Sequence, residues 1–297
     1  MRSTEAPGPI GSWMIAIAMW VSRITSPHQQ RALKAGIVAV AVLAVGPAVA
    51  DDDKDVDLPR PGVAPIFSKP GGQTYGRWAV EWWQWALGVP AATNPLLDVT
   101  GENCAQRQVD DTWFLAGSFV SDPVVRECTI PEGKALFFPL INNFSGAFLN
   151  DPPEQRTEEF LREQAECEFP VKLFAEIDGV EVKRLRRFST GKTGSQSPLF
   201  NVQLPPDNIV GADEDVIPEL VLSPSAEEGF YLFVRPLSLG EHMVRWVAEG
   251  CQGADFVQDI TYFLTITAVE GAGEDDDNHA EGSFGGLRVP KDFRDHD

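Results

Sequence analysis

"CTIPEGKALFFPLINN", residues 128–143, is the stretch on which the fold turns. Two β-rich runs, VVRECTI (124–130) and KALFFPLI (134–141), flank Pro131-Glu132-Gly133, which has turn composition. Phe137 and Phe138 point to opposite faces of a regular strand, because side chains alternate. An apolar ring on each face indicates a strand buried on both sides, or one at a sheet junction. Pro139 cannot donate to a ladder, so pairing bends or ends there. Asn142 and Asn143 then stand at the strand end, either as turn residues or as the polar lining of a site.

The same pattern continues outward. TWFLAGSF (112–119) precedes VVRECTI through a Ser-Asp-Pro turn. VKLFAEI and VEVKRLRRF are joined by Asp178-Gly179, a two-residue hairpin signal. FNVQL, FYLFVRPL, EHMVRWVA and DITYFLTITAV follow, with a second hairpin through Gly240. Roughly nine strands without regular intervening helices predict a mainly β protein, an antiparallel β-sandwich or jelly roll.

Two helices interrupt the strands. YGRWAVEWWQWALG (75–88) is closed by Gly88 and Pro90. At about 100° per residue, Tyr75, Trp78, Trp82 and Trp85 share one side, and Trp83, Val80 and Leu87 extend the apolar arc. Only Arg77, Glu81 and Gln84 form a polar strip, so this helix is expected to pack on two sides. A sugar-binding platform would need exposed rings, and Trp83, off the main stripe, is the candidate ligand contact. EQRTEEFLREQAE (154–166) reads as a surface helix with Asp151 as N-cap, Pro152 at the first helical position and Glu154 as capping-box partner.

The ends read differently. Arg31 and Lys34 precede an apolar run ending in Ala48-Val49-Ala50, the pattern of a secretory signal over residues 1–50. The unusual stretch upstream places the natural start at Met14 or Met19. The run is too short for a membrane span. Residues 51–72 read as an extended acidic, Pro/Gly-rich linker, 73–270 as the folded domain, and 271–297 as a disordered acidic tail. Removing residues 1–50 takes away four basic side chains and one acidic one, so the net charge of −20 becomes −23. That charge argues against nucleic acid as a partner and fits a protein that meets cations.

Cys104, Cys128, Cys167 and Cys251 all lie in the mature part. An even count in an exported chain predicts disulfides, with three connectivities open; Cys104–Cys128 with Cys167–Cys251 is favoured because Cys104 and Cys128 flank one predicted strand. No C-x-x-C suggests a zinc knuckle or redox pair.

Signatures of chemistry are sparse. G-x-S-x-G, H-E-x-x-H and an intact phosphate loop are all missing. His242 is the one histidine in the fold; it reads as a hydrogen-bonded residue at the core rim, and alternatively as a catalytic base. No organic cofactor is implied. Calcium as a structural ion is suggested by GADEDVIPE (211–219) and GEDDDNHAEG (273–282), without EF-hand spacing.

W-W-x-W, a cysteine near DVTGENC, WFLAG, CTIPEGKALFFPLIN and PLSLGEHMVRW together resemble a group of exported bacterial proteins of no assigned function, over most of residues 75–267. The resemblance implies a secreted or periplasmic sandwich-like protein and carries no catalytic residue. The expected role is binding or surface interaction, with a small molecule, glycan or protein as ligand. The alternative is a polysaccharide hydrolase or lyase using carboxylates or His242.

Overall fold

A computed structural model of the protein describes residues 62–108, 110–167, 170–251 and 256–269. The signal segment, most of the linker, the acidic tail and the calcium candidate at 273–282 lie outside them. The elements are α1 (Tyr75–Gly88), β1 (Thr112–Phe114), β2 (Val124–Pro131), β3 (Ala135–Phe148), α2 (Glu158–Gln164), β4 (Lys172–Ile177), β5 (Val180–Glu181), β6 (Phe200–Gln203), β7 (Val221–Val234), β8 (Gly240–Glu249) and β9 (Val257–Thr267).

The strands form a sandwich. One sheet has the order β1-β3-β7-β6 and the other β2-β9-β8-β4-β5. Most neighbours are antiparallel, but β1 runs parallel to β3 and β2 parallel to β9. The purely antiparallel expectation fails there because β2 lies in the opposite sheet, so the chain returns to β3 in the direction of β1.

The first sheet is buried on both faces. Phe138 faces the second sheet and stacks on Trp246, with ring centroids 4.8 Å apart. Phe137 faces outward and stacks on Tyr231 at 5.3 Å, beneath α1. The protein is therefore three layers, with one apolar core between the sheets and a second between the first sheet and α1. Register slips between Pro139 and Ile141, the bulge a proline without a donor imposes, but β3 continues to Phe148. Asn142 and Asn143 thus lie inside a long strand and not at its end. Pairing resumes beyond the bulge, opposite Gly229 and Glu228.

α1 occupies the predicted residues, with Thr74 as N-cap. Trp78, Trp82, Trp83 and Trp85 are all buried. Each indole N–H finds an acceptor: Pro70 O, Leu115 O, Tyr231 Oη and Gln106 O, in that order. The sheet covers one flank of the helix, and the loops carrying these carbonyls cover the other.

α2 starts later than expected. Pro153–Arg156 forms a short 3-10 turn, and Thr157 is the N-cap, its Oγ1 accepting from Phe160 N. Asp151 instead accepts from Phe148 N at 2.8 Å. Although mostly exposed, α2 buries Leu161, which packs with Ala165 on Ala147 and Ala226 of the sheet. Both expected disulfides are present, Cys104–Cys128 and Cys167–Cys251. Asp178 and Gly179 both have positive φ and make the β4–β5 hairpin.

Candidate functional site

β7 alternates like any strand, so Glu227, Gly229, Tyr231 and Phe233 face the α1 side. A glutamate on that face is carried into the protein, and Glu227 is 2% exposed. Its Oε2 accepts from Tyr231 Oη at 2.8 Å and from Thr190 Oγ1 at 3.1 Å. Thr190 is held by Gly229 N, which donates to its hydroxyl at 3.0 Å.

Tyr231 Oη is itself saturated. It donates to Glu227 and accepts from Trp83 Nε1 at 3.1 Å and Asn142 Nδ2 at 3.0 Å. Burial first, and then the charge of Glu227, push the phenol well above its ordinary pKa, so it stays a donor. Burial likewise pushes the Glu227 carboxyl up to about 7, against the hydrogen bonds from Tyr231 and Thr190 and the nearness of the Ser197 hydroxyl, with the nearby charge of Glu228 adding to the rise. Glu227 Oε1 and Ser197 Oγ are both buried without a partner in hydrogen-bond geometry.

Glu227 and Glu228 lie at a pocket of about 350 Å³. α2 supplies Glu159, Arg162 and Glu163, Glu166 follows it, and the 190s loop supplies Lys192 and Gln196. Arg162 ties these walls together by donating to Ser197 O at 3.1 Å and pairing with Glu158 at 2.7 Å. Five carboxyl groups against two cations make the pocket acidic overall. A carboxyl that titrates near neutrality, fixed at one oxygen and unpartnered at the other, can accept or give a proton or bind a donor.

Of the predicted ligand residues, Trp83 and Asn142 join this network through Tyr231, and none of the three lines the pocket. Trp83 is 3% exposed and no ring of α1 is free for stacking. Trp83 and Asn142 instead border a separate cavity of about 30 Å³, room for one water. Asn143 donates to Gln164 O at 3.0 Å and so anchors the end of α2. Glu227 itself is hidden in sequence among 44 acidic residues. The only available signal is its place just before the apolar run 230–234 on β7, which it shares with Glu228.

His242 lies elsewhere. It shares its strand face with Val244 and Trp246, at the rim of the inter-sheet core. Nδ1 is 2.7 Å from Asp178 Oδ2, and Nε2 is 2.9 Å from Ser238 O and 3.3 Å from Ser238 Oγ. A carbonyl and a carboxylate on the two nitrogens are both satisfied only by the imidazolium. Burial works against that charge, but Asp178 and the Ser238 carbonyl outweigh it and raise the pKa. The ring bridges the β4–β5 hairpin and the loop from β7 to β8, with Asp178 on one nitrogen and the Ser238 carbonyl and hydroxyl at the other. Among the described residues, no group of three or more His, Cys, Asp or Glu is arranged to hold a metal ion.

Comparison with known protein families, with curated proteins and with solved structures gives no match.

Proposed function

We propose that this is an exported, disulfide-stabilised binding protein whose ligand is a small organic cation, an amine or amino sugar, held in the α2–β7 pocket. The observation that carries this reading is Glu227, a buried carboxyl with one oxygen outside hydrogen-bond geometry, bordering an acidic pocket. An ammonium group is a compact donor that fits such a carboxyl, and the net charge of −20 concentrates cations near the surface. A cation beside Glu227 stabilises its ionised form, so binding expels a proton below pH 7 and tightens as pH rises. The two disulfides fit the oxidising environment of a secreted or periplasmic protein.

Calorimetry on the mature protein tests this with a panel of amines and amino-sugar oligomers beside their neutral counterparts. Amines are expected to bind in preference, with buffer-dependent heats that reveal proton release, and Glu227→Gln is expected to abolish that release. Equal binding of neutral and cationic members, or binding indifferent to Glu227→Gln, sinks the proposal.

A second reading, a hydrolase or lyase acting on polysaccharide, is favoured by one observation. A carboxyl near pH 7 next to Glu228 is a candidate general acid with a second carboxylate beside it. Turnover of a polysaccharide panel that disappears in both Glu227→Gln and Glu228→Gln distinguishes catalysis from binding.

A further inference from the structure

Residues 182–188 read VKRLRRF. Val182 and Leu185 are buried, which leaves Lys183, Arg184, Arg186 and Arg187 exposed on one surface. Four cations within five positions stand out on a chain of net charge −20. They line an open groove of about 620 Å³, within the usual range for small-ligand sites. No acidic residue contributes to its lining.

The opposite wall is apolar. Ile66 and Phe67 come from the segment leading into α1, and Phe67 is 78% exposed. Such a ring beside a groove is a contact surface in search of cover. The cations are unequally committed. Lys183 pairs with Glu181, and Arg186 donates to Pro170 O at 2.8 Å. The guanidinium groups of Arg184 and Arg187 make no hydrogen bond or ion pair among the described residues.

We propose that this groove binds a single anionic amphiphile, a molecule with a phosphate or carboxylate head group on an apolar chain. The head group takes the two uncommitted guanidinium forks, which match its geometry in bidentate fashion. The chain covers Phe67 and Ile66. A broad anionic membrane is the poorer partner, since the rest of this acidic molecule would be repelled from it, whereas one small ligand meets only the lining of the groove, which carries four cations and no acid. The site is separate from the Glu227 pocket and of opposite charge.

The test titrates the mature protein with dodecyl phosphate below its micelle concentration. Dodecyltrimethylammonium, inorganic phosphate and anionic phospholipid vesicles are the comparison arms. Dodecyl phosphate is expected to bind saturably at one site. Arg184→Glu combined with Arg187→Glu is expected to weaken it at least ten-fold, and Phe67→Ser by several-fold. All three positions are exposed, and an unchanged thermal midpoint shows that the variants fold; Arg187→Glu alone serves if the double variant does not. Equal binding of the cationic detergent, equal binding of inorganic phosphate, binding to vesicles alone, or undiminished binding by the charge-reversed protein overturns the proposal.

Discussion

Tyr231 Oη donates to Glu227 Oε2 across 2.8 Å, two pleats apart on one face of β7. The phenol has no other proton to give, and both of its acceptor positions are filled by Trp83 and Asn142. The aromatic helix and the bulged strand therefore converge on one buried carboxyl.

That carboxyl makes stability depend on pH. Its folded pKa, about 7, lies above the ordinary 4.5. Between these values the unfolded chain releases a proton that the folded protein retains, so stability falls as pH rises through the window and is level above it. The expected fall is about 3 kcal/mol. Urea unfolding at pH 5 and pH 8 is expected to show it in the wild type and to lose most of it in Glu227→Gln.

His242 acts in the same direction, through a different cause. Its folded pKa is raised above 6.5, so the stabilisation it contributes is full below 6.5 and is lost as pH rises through the raised value. Asp178→Asn removes the partner that sustains the charge, while burial remains. NMR titration of the imidazole is expected to show a lower pKa in that variant; an unchanged value would remove Asp178 as the cause.

Trp83→Phe keeps an aromatic body but deletes the donor to Tyr231. Shrinking a side chain that packs 4.9 Å from Phe144, together with the lost hydrogen bond, is expected to cost about 2–3 kcal/mol. With one donor fewer, the Tyr231 phenol becomes a weaker acid and a weaker donor, so Glu227 titrates higher. Denaturation and the pH profile of stability measure the two effects separately.

Gly76→Ala sets local preference against packing. Helix propensity alone favours alanine by roughly 1 kcal/mol. A methyl group there would lie 2.4 Å from Ser195 O and 2.7 Å from the Gln196 carbonyl, both backbone atoms of the loop that walls the pocket. Net destabilisation of about 1–3 kcal/mol is expected, read as a lowered thermal midpoint. A stabilised variant would show that the helix and loop separate freely.

The disulfides close loops of different length, 24 and 84 residues of separation. On the chain-entropy argument, replacing Cys167 and Cys251 by serine is expected to cost about 4–5 kcal/mol and replacing Cys104 and Cys128 about 3–4 kcal/mol. Chemical denaturation of the two double variants orders them.

Much of the architecture is written in local pattern. Alternation placed Phe137 and Phe138 on opposite faces of a doubly buried strand, the helical period marked α1 as packed on two sides, and Asp178-Gly179 announced its hairpin. These follow from periods of 2 and 3.6 residues, which a sequence carries within itself. The parallel pairs did not follow, because strand direction depends on which sheet each crossing enters. The N-cap of α2 was misplaced for a related reason: Asp151 and Thr157 are both competent caps, and Asp151 is taken by the neighbouring Phe148 amide. The site was less legible still. Trp83, Asn142 and Asn143 stand out in sequence, yet the first two support Glu227 from behind through Tyr231 and the third anchors α2, and little local separates Glu227 from the other acids of the chain. Its burial, its partners and its raised pKa arise from elements 37 to 148 residues apart that meet only when β7 is covered by α1 and the 190s loop. Desolvation is a property of the assembled layers, and no stretch of residues contains it.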